Sequence, residues 1–266
     1  NVKIIRYMNR AIYLIIILNQ IFSQDNNSIV PDTFLAEKIP PFKGTIFIDS
    51  NILTSNDPTS FIELVYVGKE QRKMYDRRVE GWIDCTAFLF NAVFEDSLSA
   101  EIQINPEFKD YKHALFQAKK YSIIIGRLPH QLRKDVKTVW IHRGLKPFGG
   151  GNNNLLIHTD WSEENYEDQG ILEETFIHEA SHTSLDNDHA SNPEWIKAQL
   201  LDNHFISNYA KNNPKREDIA ESYLTYFAIK YKSDRISKDL KEIIINTIPN
   251  RIKYFDNQKF NLFPLK

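Results

Sequence analysis

The sequence predicts an α+β fold, a β-rich N-terminal part packed on a mainly helical C-terminal part, and three observations carry that expectation. Runs of β-branched and aromatic residues, broken by turn clusters, crowd residues 42–108. Apolar residues recur at helical spacing beyond residue 171. Between the two regimes, near residue 150, lies the Gly- and Asn-rich stretch "GLKPFGGGNNN". The expected division is therefore 1–23, 24–41, 42–150 and 151–266.

"MNRAIYLIIILNQIFSQDNNS", from Met8, places Arg10 ahead of an apolar run, Ala11 to Leu18, with a polar stretch after Ser23. That layout reads as a secretory signal peptide over residues 1–23, so a secreted or periplasmic location is expected. The first residue is Asn1, so Met8 reads as the native start or the sequence as part of a longer chain. The apolar run falls short of the roughly 20 residues a bilayer needs, and no stable membrane insertion is expected after cleavage. Residues 24–41 read as a flexible linker.

"GTIFIDSNIL" and "FIELVYVG" have strand composition, with "TSNDPTS" as the turn between them. "WIDCTAFLFNAVFED" and "AEIQINPEF" read as further strands. Lys109 to Ile125 carries apolar residues at helical spacing, "LPHQLRKDV" reads as a short helix and "KTVWIH" as a strand. "GLKPFGGGNNN" is expected to be a loop feeding a strand over "LLIHTDW". Beyond the helix that follows, Pro193 and Pro214 each stand where a helix's first turn is expected. Ile219, Tyr223 and Phe227, with Ala220, Leu224 and Ala228, form the apolar stripe of the second.

Composition excludes some functions. The 33 basic and 35 acidic residues leave a net charge of -2, and no long basic run marks a nucleic-acid surface. Cys85 is the only cysteine, so a Cys-rich zinc site and an internal disulfide are excluded; its apolar flanks lead to the expectation of a small buried hydrophobe.

"ILEETFIHEASHTSLDNDH", Ile171 to His189, holds the chemistry. On a helix, residues four apart lie one above the other, so His178 and His182 can present two imidazoles to one ion. Glu179 is rotated about a third of a turn away, out of the ligand set but placed to take a proton from a water on that ion. Ile171, Leu172, Phe176 and Ile177 mark the helix as buried. Zinc with an open position needs a third protein ligand, and three candidates follow: His189, Glu217 and Glu221. His189 stands seven residues after His182, where the H-E-x-x-H-x-x-G-x-x-H pattern needs six with a Gly.

"HEASHTSLD", followed some thirty residues later by "NYAKNNPKREDIAESYLTYF", resembles the gluzincin metallopeptidases, especially the lethal-factor-like branch. The resemblance covers roughly residues 171–228. It implies a zincin-like architecture with an active-site helix, Zn²⁺ as cofactor, and Glu217 as third ligand to His178 and His182. It further implies Glu221 as a partner behind a ligating histidine, a recurring acid at Asp186, and Tyr209 as the group that assists the tetrahedral intermediate. The loop from Tyr209 to Glu217 is one residue longer than the family pattern. The implied strand before the metal helix is an exposed edge that pairs with an extended peptide, where His158 lines the cleft or is a surface residue.

The expected activity is that of a secreted zinc metallopeptidase acting on a peptide or protein, with Glu179 and Tyr209 catalytic and His178, His182 and Glu217 on the metal. Two alternatives remain at the level of sequence: a zinc hydrolase of a non-peptide amide, and an inactive zinc-containing binding module.

Overall fold

The computed structural model describes residues 38–265. The expected signal peptide, and the linker up to residue 37, lie outside them. The described chain is mixed α+β: one open six-stranded sheet and ten α-helices among the described residues. None of those helices is long and apolar enough to cross a membrane.

The sheet runs β1-β2-β3-β4-β6-β5. β1 (Phe61–Asp76) and β2 (Gly81–Phe94) form a long antiparallel hairpin, and β3 (Ser99–Ile104) pairs antiparallel with the end of β2. β4 (Thr138–His142) and β6 (Asn154–His158) continue the sheet in parallel, and β5 (Gly149–Gly151) closes it as an antiparallel edge. The sheet thus crosses residue 150 and draws strands from both halves of the sequence.

Parallel strands need cover on both faces, and β4 and β6 have it. On one face Ile102, Ile104, Val139, Ile141, Leu155 and Ile157 join the main core. α1 (Tyr111–Arg127) and α4 (Leu172–Ser184) bury their apolar sides in the same core. Asp110 caps the start of α1 by accepting the His113 N–H. The opposite face carries Trp140, His142 and His158, and the tip of the β1–β2 hairpin meets it: Trp82 stands edge-on to Trp140 at 5.2 Å.

The helical part continues through a short α2 (His130–Arg133), α3 (Thr159–Ser162) and α5 (Asp186–His189) to α6 (Pro193–Asp202), α7 (Asn208–Asn212) and α8 (Asp218–Tyr231). α9 (Lys238–Thr247) and α10 (Pro249–Asn257) complete it. Arg251 of α10 is buried between Asp202 of α6, at 2.9 Å, and Asp218 of α8, at 2.8 Å. Removing one member of such a buried set leaves a charge stranded, at about 3–5 kcal/mol.

Five sequence expectations are corrected. Residues 44–53 form turns, because the N–H groups of Ile52 and Leu53 donate to the Glu174 carboxylate rather than to a ladder. The expected loop at Gly149–Gly151 is a strand; a Cβ on Gly150 would lie 1.8 Å from the Glu179 carbonyl oxygen, so only glycine lets the edge strand rest on α4. The strand expected over "LLIHTDW" ends at His158, and Thr159 opens a helix. Pro193 does open α6, but α8 begins at Asp218, four residues after Pro214. Cys85, expected to be a buried hydrophobe, is only partly buried on β2, the second strand of the sheet.

Candidate metal centre

α4 places Glu174, His178 and His182 at intervals of four, and Asp186 opens α5 in the same register. Glu217 stands at the cap position before α8, its N–H bonded to the Asn213 carbonyl at 2.8 Å. The Asp218–Arg251 pair fixes the start of that helix, so the carboxylate of Glu217 is aimed by a buried ion pair one residue away.

The result is a buried group of three donors, His178, His182 and Glu217. The two imidazole Nε2 atoms are 3.3 Å apart, and Glu217 Oε2 lies 3.1 Å from that of His182 and 3.4 Å from that of His178. A tetrahedral zinc with bonds of 2.0–2.1 Å sets its ligand atoms about 3.3–3.4 Å apart, so the triangle has the size such an ion needs. On the outer side, His182 Nδ1 meets Asp186 Oδ2 at 2.9 Å. His178 Nδ1 meets Glu221 Oε1 at 3.3 Å, a contact of charge without an aligned hydrogen bond. The Asp186 carboxylate in hydrogen-bond reach of His182 Nδ1, and the Glu221 charge beside His178 Nδ1, favour protons on Nδ1 and Nε2 lone pairs turned to the centre, as in a metal-ligating histidine.

Three electron-rich atoms facing one another require a cation between them, a proton or a metal ion. Burial disfavours the His178 imidazolium, yet Glu217 and Glu221, with the charge of Glu179, outweigh it and raise its pKa to about 10. His182 is likewise raised: Asp186 and Glu217 overcome its burial. The Glu217 carboxyl is held far below its usual range, the two histidines outweighing its own desolvation.

Glu179 is half-buried, and its charge acts on both His178 and Tyr209. Tyr209 is half-exposed on α7; burial first, then the Glu217 carboxylate, pushes its phenol up to about 12. Its backbone N–H donates to the Lys43 carbonyl, so the chain entering the domain pins α7 in place. Ser207 caps α7, accepting the Ala210 N–H while donating to Glu221 Oε2 at 2.5 Å. A polar cavity of about 520 Å³ opens beside His182, walled by Thr183, Asp186, Gly150, Asn152, Lys134 and Arg216.

The structure therefore brings His178, His182, Glu217, Glu221 and Asp186 together, with Glu179 and Tyr209 alongside. It does not bring His189, which is buried elsewhere with Nδ1 2.7 Å from the Tyr254 hydroxyl. His158 is neither at an edge nor at the surface: β5 covers β6, and the side chain is fully buried. Sequence reasoning missed Glu174, Ser207 and Arg216. Glu174 was legible as the same stripe extended one turn back, and Arg216 as the neighbour of Glu217; Ser207 depends on tertiary contacts alone.

No known protein family, curated protein or solved structure matches the chain, so the likeness to gluzincins rests on these residues.

Proposed function

We propose that the protein is an exported zinc-dependent metallopeptidase of the gluzincin type, a zincin-like architecture in which α4 is the active-site helix. The observation that supports it is the triangle of His178, His182 and Glu217, with sides of 3.1–3.4 Å. The leader-like run after Met8 supports export.

When bound, an ion of this kind polarises the scissile carbonyl and brings a water's pKa toward neutrality. His178, His182 and Glu217 would hold it, with Asp186 and Glu221 beside the outer Nδ1 atoms of the two imidazoles. Glu179 takes the proton of the attacking water and delivers it to the departing amine nitrogen. With its pKa at about 12, Tyr209 keeps its proton at neutral pH and donates it in a hydrogen bond to the carbonyl oxygen as charge develops there. Such a donor is worth about 3 kcal/mol.

The test compares the wild type with Glu179→Gln in metal content by atomic emission and in cleavage of a quenched-fluorescent peptide library. Both proteins should carry one zinc, and the variant should cleave about 10²–10⁴-fold more slowly. A wild type that retains no metal, or a variant that cleaves as fast as the wild type, rules the proposal out.

A further inference from the structure

On the far side of β5 from the metal centre, a cavity of about 410 Å³ is lined by Tyr75, Trp82, Trp140, Arg77, Gly149 and Asn152, among others. Its aromatic walls come from the hairpin tip and from β4. Trp82 stands edge-on to Trp140 at 5.2 Å and to Tyr75 at 5.7 Å, and it is 57% exposed. An indole left this open in a concave site is a place for a ligand, since an isolated surface tryptophan would have no walls around it. Arg77 lies over Gly149, its Nη2 within 2.7 Å of where a Cβ would sit, and donates to the Pro147 carbonyl at 3.2 Å. A guanidinium at the rim of an aromatic slot stacks on a further flat ring.

Gly150, Gly151 and Asn152 line this cavity and the one beside His182 alike. The glycine strand, which brings no side chain of its own, is thus a low ridge between them, with Arg77 over Gly149 and Arg216 Nη2 3.5 Å from the Gly150 carbonyl. An extended peptide rises about 3.3 Å per residue with its side chains on alternating sides, so a chain lying over this ridge can address both cavities. The lining that the two cavities share along β5 selects the occupant: a side chain of the same peptide.

We infer that Tyr75, Trp82 and Trp140 form a specificity subsite that accepts an aromatic side chain of an extended peptide, close to the bond that is cut. The inference rests on the peptidase reading, and its test separates the two. Cleavage is measured on blocked peptides that differ only by Phe or Ala at each position in turn. The wild type should favour Phe at one position by about tenfold or more, as a well-filled apolar pocket does. Trp82→Ala, and independently Tyr75→Ala, should lose that ratio; Phe116→Ala, an exposed aromatic on α1, should keep it.

Binding is read separately, by calorimetry of the blocked peptide Gly-Gly-Phe-Gly-Gly and its Ala counterpart on zinc-loaded Glu179→Gln. Tighter binding of the Phe peptide that disappears with Trp82→Ala supports the subsite even where the wild type cleaves nothing, an outcome that overturns the peptidase reading alone. Cleavage with no Phe preference at any position, or a preference that survives in both Trp82→Ala and Tyr75→Ala, overturns the subsite.

Discussion

His178 and His182 stack edge-on with ring centroids 4.9 Å apart on α4, while His142 and His158 lie 5.4 Å apart, nearly parallel, on β4 and β6. All four side chains are buried, and in both pairs burial disfavours the cation. What separates them is the count of free carboxylates. Glu217, Glu221 and Asp186 surround the first pair. The second has Asp76, 4.0 Å from His142 and already bound by Arg78. Its Nδ1 atoms meet neutral partners: His142 accepts from the Asn105 amide at 3.0 Å, and His158 donates to the Arg143 carbonyl at 2.9 Å. Burial therefore wins there, lowering His142 to about 4 and lowering His158 as well. Two imidazoles in contact do not by themselves make a candidate metal site; the anions around the first pair do.

The sharpest test removes one member of each pair. On the proposed zinc centre, His182→Ala leaves two donors where three are needed, so the variant should lose the zinc that the wild type keeps on dialysis against a mild chelator. Since the ion binds only the folded chain, the wild type's melting temperature should fall on adding EDTA and that of His182→Ala should not respond. His158→Gln should retain both the zinc and the full EDTA response. A His158→Gln protein without metal would break the distinction between the pairs.

The second test uses acid. A histidine whose folded pKa lies below its unfolded value of 6.5 releases its proton on folding, so the folded state gains stability as pH rises from about 4 to 6.5 and loses it on the way down. For His142, buried throughout, the window amounts to about 3 kcal/mol at 1.36 kcal/mol per unit. His142→Gln keeps an acceptor for Asn105 and has nothing to titrate. Urea unfolding at pH 4.5 and pH 7 should show a smaller loss of stability in the variant than in the wild type. Equal losses in the two proteins would mean that other groups carry the acid limb.

Much of this contrast was written in the sequence for one pair and absent for the other. His178 and His182 are four residues apart on one helix, where spacing fixes geometry, and the mixed α+β class followed from local composition, though the sheet and the helices both cross the expected boundary at residue 150. Glu217 is 35 residues from His182, and its placement depends on α8 docking against α4, which only the family likeness suggested. His142 and His158 are neighbours through the β4–β6 register, and no local signal reports a register. The strand at Gly149–Gly151 was illegible for a related reason: its glycines satisfy a close approach to Glu179 that exists only in the folded chain. The strand expected at 44–53 failed the opposite way, since the composition was right and the backbone donors were claimed by Glu174.

The smallest expected effect bears on how far the anions around the first pair reach. Glu221 does not belong to the donor triangle, but its Oε1 faces His178 Nδ1 at 3.3 Å and its Oε2 accepts from Ser207. Glu221→Gln retains the size and one acceptor oxygen, and removes the charge. If that charge raises the basicity of His178 toward the ion, zinc affinity should fall about 10–100-fold. That is about 1.4–2.7 kcal/mol. Chelator competition measures it directly. Asp76→Asn, the matching loss of charge beside His142, should leave zinc affinity unchanged. Glu221→Ala separates the remaining role: it also strips Ser207 of its acceptor, so it should cost folding stability that Glu221→Gln spares. Should Glu221→Gln bind zinc as tightly as the wild type while Glu221→Ala unfolds more easily, Glu221 would be a tether for α7, and the field that distinguishes the two histidine pairs would come from Glu217 and Asp186 alone.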